Sequence, residues 1–416
     1  MPKPIGSSTK KLEGLNICML TPFYLPYYGG METLIYELSK ELVGNKINIH
    51  ILTGSHPKRR EEAVEEGIHV TRTRLLSHRG RETYHTDDTE FYNYFIDYLE
   101  RNKIDIIHSH MIYVSALPIA GILQSVRIRT RIPILLHQHC PPDKPAHEFV
   151  LKIFNWDYII PVSRWVAKHV YEIGVPPEKI KTIPNFVDVE KFKPGIHSER
   201  ERERLIDELK LDLEKRIILM PSRLVGRDGK IDERKNFDTM IHALSHLSTE
   251  KDFIAILTAV EDDAMPKESK EAKKKLWEMA EVLEVENKIR IPDENIDQAM
   301  MPALYSLSDI VVLPSSREPF GLVYVEGMAS GKPVVGAISG AAPEVIKHNR
   351  TGLLVESRSP FALFQALKKL IENMEKAEVY GKNGRELVLK KYSLSRRVTD
   401  FLTLYRKILK VKKRLI

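Results

Sequence analysis

The segment with the most distinctive chemistry holds two glutamates, Glu318 and Glu326, around a short run that enters a predicted helix. A proline near the helix start leaves the N–H groups of Phe320, Gly321 and Leu322 as expected free donors. Gly321 also carries no side chain that would block a phosphate or a sugar. Two carboxylates beside a row of amides suit a sugar nucleotide: one accepts from sugar hydroxyls, the other from a ribose diol. The plainer alternative is a strand–turn–helix with a solvated glutamate.

Two cations are the second candidate feature. Arg223 follows a predicted strand, and Lys235 opens the next predicted helix after a long loop. Fixed positive charges of this kind can stabilise a departing diphosphate without a metal ion. Arg234 is an alternative for the second cation. The other possibility is that Arg223, Lys235 and Arg234 are ordinary solvated charges on the surface.

A pair of glycines, Gly29 and Gly30, stands between the first predicted strand and the first predicted helix. Glycines there let the backbone approach a ligand closely, and the free N–H groups of a helix start attract an anion. The pair therefore predicts contact with a phosphate, and an ordinary turn is the alternative.

Two His-x-His pairs follow neighbouring predicted strands, His108 with His110 and His137 with His139. Side chains at i and i+2 of a strand point the same way, so each pair could chelate zinc. This is the basis of a competing hypothesis, a zinc-dependent hydrolase. Imidazoles at the carboxyl edge of a sheet can equally hydrogen-bond a substrate, and no aspartate completes an H-x-H-x-D arrangement.

Composition limits the function classes. The 416 residues include 64 Lys+Arg and 57 Asp+Glu, for a formal net charge of +7, and 43% are hydrophobic. Such a chain can bury large cores, so disorder as the main state is excluded. The mild positive charge suits an anionic substrate better than nucleic acid. Two cysteines and no apolar leader at residues 1–11 predict a cytoplasmic protein without disulfides.

Short apolar runs alternate with segments of helical period along the whole chain, which predicts parallel sheets covered by helices. The predicted strands are residues 15–20, 47–53, 68–73, 104–108, 132–137, 158–162, 216–221, 253–257, 288–291, 309–313 and 333–337. Predicted helices include residues 31–43, 90–101, 164–173, 198–214, 237–247, 360–373 and 394–409.

A turn-like segment at residues 185–188, the pair Pro194–Gly195 and the charge-dense segment 198–214 predict a linker at about residues 185–215, between two domains at residues 1–195 and 196–392. Residues 393–416 form a last helix whose Phe401, Leu404 and Ile408 make an apolar stripe. The stripe could pack either on the second domain or, if the helix crosses back, on the first.

The element from Glu318 to Glu326 resembles the E-x7-E element of the retaining glycosyltransferases of family 4, which have the GT-B fold. Other matching segments occur in the family's order. They are Y-G-G-M-E-T (28–33), D-I-I-H (105–108), P-V-S (161–163), I-P-N-F-V-D (183–188), S-R-L (222–224), R-K-N (234–236), G-K-P-V-V (331–335), G-A-A-P-E (340–344) and T-G-L-L (351–354).

The resemblance implies an α/β protein with two facing Rossmann-like domains and a central cleft, the acceptor on the first and the donor on the second. Arg223 and Lys235 would hold the donor diphosphate, Glu318 the donor sugar and Glu326 the ribose. The amides of residues 320–322 would contact sugar and phosphates, and Gly30 would pack close to the phosphate. His139 is similar to the family's histidine near the reacting sugar, with His137 as the alternative.

The expected function is therefore the retaining, metal-independent transfer of a hexosyl group from a nucleotide-diphosphate sugar to a hydroxyl of a sugar, glycan or lipid-linked acceptor. No cofactor and no metal are expected. A glycoside phosphorylase or disaccharide synthase on the same fold, or a sugar-nucleotide binding protein without turnover, are alternatives. The basic ends, residues 3–11 and 407–414, predict at most a weak peripheral contact with the inner face of a membrane.

Overall fold

The structure is a computed structural model that describes residues 12–27, 29–76, 78–79, 82–83, 88–111, 116–195, 198–226, 230–260 and 266–412. The expected basic segment at residues 3–11 and Tyr28 of the Y-G-G-M-E-T match lie outside the described residues. None of the described helices combines the length and the apolar character needed to cross a membrane.

The chain divides into two units, Met1–Asn185 with Leu394–Ile416, and Phe186–Ser393. The division falls at Asn185 rather than near residue 195. The reason is local: the Val187 N–H donates to the Tyr392 carbonyl at 2.9 Å, and the Arg385 guanidinium donates to the Val189 and Phe192 carbonyls. These bonds attach the start of the expected linker to the second unit.

The first unit has nine strands and six helices among its described residues. They are β1 (Asn16–Leu20), α1 (Gly30–Gly44), β2 (Asn48–Gly54), β3 (Glu62–Glu65), β4 (Ile68–Thr73), β5 (His78–Arg79), β6 (Glu82–Thr83), α2 (Asp88–Arg101), β7 (Ile106–Ser109), α3 (Ala116–Thr130), β8 (Ile134–Gln138), α4 (Pro145–Ile153), β9 (Tyr158–Pro161), α5 (Arg164–Glu172) and, from the end of the chain, α14 (Leu394–Lys412). Its main sheet has the order β3-β4-β2-β1-β7-β8-β9, parallel except for β3.

The second unit has six strands and eight helices among its described residues. They are α6 (Glu199–Leu209), β10 (Arg216–Met220), α7 (Phe237–Ser248), β11 (Phe253–Leu257), α8 (Pro266–Val282), β12 (Ile289–Arg290), α9 (Met301–Leu307), β13 (Ile310–Leu313), α10 (Leu322–Ala329), β14 (Val334–Ala337), α11 (Ala342–Val345), β15 (Gly352–Val355), α12 (Pro360–Glu372) and α13 (Met374–Lys391). All six strands are parallel, in the order β12-β11-β10-β13-β14-β15.

Both sheets have the order of Rossmann-like domains. Numbered within its unit, the second sheet reads 3-2-1-4-5-6, and the first sheet repeats that order from β4 to β9. In such sheets strands 2 and 3 lie on one side of strand 1, and strands 4 to 6 lie on the other. Ligands bind in the crevice beyond the carboxyl ends of strands 1 and 4, where the strand order reverses. These points lie between β1 and β7, and between β10 and β13.

The last helix, α14, packs on the first unit. Phe401, Leu404 and Ile408, the apolar stripe recognised in the sequence, are buried. The Tyr405 hydroxyl lies 2.8 Å from Nδ1 of His108, and the Lys407 ammonium lies 5.0 Å from the centre of the Tyr158 ring. The stripe therefore belongs to the core of the unit that begins the chain.

Three kinds of strand were not predicted. Strand β3 carries glutamates at both ends and forms because Glu66 and Gly67 both have positive φ (50° and 80°), which joins it to β4 as a tight hairpin. Strand β15 has only three apolar residues and is held at the edge of the sheet by pairing with β14. The two-residue strands β5 and β6 carry no apolar pattern.

Candidate functional site

The candidate site of the second unit is built on the loops that follow β10 and β13. The first loop contains Arg223, whose backbone pairs with Val260 beyond the end of β11. The Leu224 N–H donates to the Val260 carbonyl at 3.2 Å, and the Val260 N–H donates to the Ser222 carbonyl at 3.1 Å. This short ladder fixes the Arg223 backbone while its side chain remains exposed.

Lys235 and Asn236 lie in the turn between this loop and α7. Asn236 adopts a left-handed conformation (φ 55°), and its buried side-chain amide donates to the Pro314 carbonyl after β13 at 2.6 Å. The Ser316 N–H donates to the Arg234 carbonyl at 2.8 Å. These bonds tie the turn to the loop after β13. Sequence reasoning missed the role of Asn236, although it stands in the R-K-N match.

The result is an ion pair between two predicted site residues. Nζ of Lys235 lies 2.9 Å from Oε2 of Glu318, with side chains 22% and 12% exposed. Arg234, the alternative cation, donates instead from Nε and a terminal nitrogen to the Asp232 carboxylate, both at 2.8 Å. Burial alone would raise the pKa of Asp232, but the Arg234 hydrogen bonds and charge outweigh it and lower that pKa. Lys235 is thus the cation that the fold directs to Glu318.

Gly340 fixes the backbone of Glu318 from a third loop. It has a φ of +56°, and a Cβ placed on it would lie 2.7 Å from the Glu318 nitrogen. The Ala341 N–H donates to the Glu318 carbonyl at 2.8 Å, and the Ser339 hydroxyl donates to the Ser316 carbonyl. A residue with a side chain at position 340 would displace Glu318.

Helix α10 begins later than the sequence predicted. Its first residue is Leu322, so the proline at 319 precedes the helix rather than starting it. Gly321 is the N-cap in a left-handed conformation (φ 90°), and a Cβ there would meet the Tyr324 ring at 2.5 Å. The glycine is therefore required by the protein's own packing. Among the described residues, the N–H groups of Phe320, Gly321 and Leu322 have no acceptor.

Glu326, one turn into α10, contacts Tyr305 of α9. The buried Tyr305 hydroxyl donates to Oε2 of Glu326 at 2.5 Å. Burial raises the pKa of Glu326, and the Tyr305 hydrogen bond and the charge of Lys191 offset this only in part. One carboxylate oxygen accepts from the phenol, so the other keeps its lone pairs for a ligand hydroxyl.

In the first unit, Gly29 and Gly30 lie at the start of α1 as predicted. Gly29 is the N-cap in extended conformation, and Gly30 is the first helical residue. The Glu32 carboxylate contacts the position that a Cβ on Gly29 would occupy. An acidic side chain in the first turn complements the helix dipole.

The four histidines form one cluster at the ends of β7 and β8, in which His108, His110 and His137 are buried and His139 is partly exposed. Nδ1 of His110 and Nε2 of His139 share a hydrogen bond at 3.0 Å. The ring centres of His108 and His110 are 4.6 Å apart, and those of His137 and His139 are 4.5 Å apart. Register explains the cluster: β7 and β8 are parallel neighbours, so the two His-x-His pairs lie side by side.

Burial makes these imidazoles neutral. It lowers the pKa of His108 and that of His139 to about 3, and it also lowers the pKa values of His110 and His137 well below their ordinary range. Neighbouring rings add to the effect for His108, His110 and His137. Only His139 of the four is partly exposed, whereas His137 is 1% exposed and packs against Phe401. Of the two alternatives for a substrate contact, the exposed one is His139.

Two Rossmann-like domains in one chain are the architecture of the GT-B transferases. Sequence comparison agrees: the model of "Glycosyltransferase Family 4" matches residues 28–191, and that of "Glycosyl transferases group 1" matches residues 201–387. The chain belongs to the family 4 glycosyltransferases with the GT-B fold. The predicted family, fold class and enzyme class are confirmed.

Individual relatives cover nearly the whole chain. The N-acetyl-alpha-D-glucosaminyl L-malate synthase of Bacillus anthracis is 25% identical over 92% of this chain and 96% of its own length. Among solved structures, the sucrose-phosphate synthase of Thermosynechococcus elongatus has a TM-score of 0.79 at 19% identity, covering 95% of this chain and 100% of that one. Anabaena HepE, solved with UDP-glucose, has a TM-score of 0.74 at 19% identity, covering 94% and 100%. None of these proteins is named as a hydrolase, so the comparisons do not favour the zinc-dependent hydrolase.

Proposed function

We propose that the protein transfers a hexosyl group from a nucleotide-diphosphate sugar to an acceptor hydroxyl with retention of configuration and without a metal ion. The observation that carries the proposal is the Lys235–Glu318 pair, 2.9 Å apart at the end of β13. It joins a cation suited to a diphosphate with a carboxylate suited to sugar hydroxyls. A ligand that carries both groups can therefore replace the Lys235–Glu318 contact, its diphosphate binding Lys235 and its hydroxyls binding Glu318.

The roles follow from charge and position. Lys235 and the exposed Arg223 bind the diphosphate, and Glu318 accepts hydrogen bonds from the sugar. The amides of Gly321 and Leu322 donate to the ligand's oxygens. Glu326 accepts from the ribose hydroxyls through the oxygen that Tyr305 leaves available. The resemblance to the family assigns contact with the reacting sugar to the partly exposed His139 and contact with a phosphate to Gly29 and Gly30.

The proposed reaction needs no base from the protein to take up the proton of the acceptor hydroxyl. The acceptor oxygen forms a bond to the anomeric carbon on the face from which the diphosphate departs, and the bond from that carbon to the phosphate oxygen breaks. The departing oxygen takes the acceptor's proton, and the nucleoside diphosphate leaves. Lys235 and Arg223 stabilise the charge that grows on it, which is the contribution a divalent cation makes in other enzymes.

The binding of UDP-glucose by HepE supports a nucleotide-sugar donor, and the name of the Bacillus anthracis relative supports a small hydroxyl acceptor. The test is a screen of nucleotide sugars for thermal stabilisation, since a bound donor raises the melting temperature by mass action. The stabilising donor is then assayed with hydroxyl acceptors, and the anomeric configuration of the product is read by NMR. An inverted product, or stabilisation by no nucleotide sugar, would contradict the proposal.

A further inference from the structure

The histidine cluster of the first unit has the geometry of a metal site. One ring nitrogen from each of His108, His110 and His137 lies within 4.8 Å of the other two. The three side chains are 0%, 0% and 1% exposed. Such a concentration of imidazoles away from water is unusual, because each ring carries two polar nitrogens that need partners.

Hydrogen bonds within the cluster use one ring nitrogen of His108 and one of His110. His108 uses Nδ1 for the Tyr405 hydroxyl at 2.8 Å, and His110 uses Nδ1 for His139 at 3.0 Å. Among the described residues, Nε2 of His108, Nε2 of His110 and both nitrogens of His137 have no hydrogen-bond partner. When Nδ1–H donates, Nε2 carries a free lone pair, as in histidines that ligate metals.

We propose that His108, His110 and His137 bind one zinc ion, with Tyr405 and His139 as the positioning residues that orient two of the ligands. Three neutral imidazoles are a ligand set that suits zinc. Zinc holds nitrogens at about 2.0–2.1 Å. The χ2 torsion of histidine has a broad preference, so rotation of the rings would bring the three nitrogens closer together.

The ion would take up three of the four unpartnered nitrogens, whose burial without partners otherwise destabilises the fold. Because Tyr405 belongs to α14, zinc would also link β7 and β8 to the helix that ends the chain. The site lies wholly in the first unit, whereas Lys235 and Glu318 belong to the second. The proposed transfer assigns no role to the zinc ion itself, although His139, which would orient His110, is also the residue predicted to contact the reacting sugar. The comparisons still do not favour the hydrolase alternative.

The experiment measures zinc binding by the chelated full-length protein, using isothermal titration and the melting temperature. Binding of one zinc ion and a rise in melting temperature of about 5 °C at a hundredfold excess over Kd are expected. Cobalt(II) bound in place of zinc should show the absorption spectrum of a cobalt ion with nitrogen ligands.

Three variants make the test specific. His137→Leu removes a ligand whose nitrogens have no partner, so it should fold and lose both the binding and the thermal response. Tyr405→Phe should weaken zinc about 10–100-fold. His69→Ala, which changes an exposed histidine of the same sheet, should bind as the unaltered protein does. The proposal fails if the unaltered protein binds no zinc, or if His137→Leu binds it unchanged.

Discussion

The ammonium of Lys235 lies 2.9 Å from the carboxylate of Glu318, although 83 positions of sequence separate the two residues. The pair is mostly buried, which makes each partner costly to leave alone. In the free protein the two charges hold each other in place, so a donor that brings its own negative and hydroxyl groups finds both side chains already positioned.

Replacing Lys235 with alanine should lower kcat by about 10²–10³-fold, the usual effect of removing one group that stabilises transition-state charge. The measurement is steady-state transfer with the donor found by thermal screening. Arg234→Ala is the matched control, because Arg234 is paired with Asp232 and should change kcat by less than about tenfold. The opposite ranking of the two variants would assign the diphosphate to Arg234.

Glu326→Gln should raise the donor KM by about 10–100-fold while kcat changes little. The ribose contact acts equally in the ground state and in the transition state, and a hydrogen bond to a charged group contributes about 1.5–3 kcal/mol. Glutamine keeps the shape and an acceptor for the Tyr305 hydroxyl. A large fall in kcat with unchanged KM would rule out the ribose role.

Donor affinity should fall in acid. Burial raises the pKa of Glu326, so this carboxylate takes up a proton earlier than an exposed glutamate, and the protonated form loses its charge. Tyr305→Phe removes a hydrogen bond that lowers this pKa, so the fall should start at higher pH. The check is donor Kd against pH. Tyr324→Phe, whose hydroxyl donates instead to the Leu313 carbonyl, should leave the profile unchanged.

Gly340→Ala should lower kcat/KM by about 10²-fold, because the new Cβ would push on the Glu318 backbone and misplace its carboxylate. The control is Gly195→Ala, which also changes a glycine of positive φ (+73°) but has open space around it. The control should lose only about 1–2 kcal/mol of unfolding free energy and keep its activity. Equal activity in both variants would show that Glu318 does not depend on position 340.

Much of the fold could be predicted from the sequence, because buried parallel strands appear there as continuous apolar runs. The strands at residues 68–73 and 253–257 have the predicted bounds, and the others are displaced by no more than a few residues. Edge strands such as β15 were missed because pairing, rather than composition, makes them strands.

The sequence could nominate the candidate site residues, since E-x7-E and the cations are local patterns, and their roles stay predictions. Their partners were not. Asn236 reaches Pro314, and Tyr305 reaches Glu326, only through the packing of distant segments. The return of α14 to the first unit, which brings Tyr405 to His108, likewise depends on contacts that no local pattern contains.

The most direct test of the central claim is the transfer rate of chelated protein, measured well below its melting temperature, beside the rate of Lys235→Ala. If fixed cations alone expel the diphosphate, chelation leaves the rate of the unaltered protein unchanged and the variant is slower by about 10²–10³-fold. A rate that chelation abolishes and a divalent cation restores, with Lys235→Ala as fast as the unaltered protein, would contradict it.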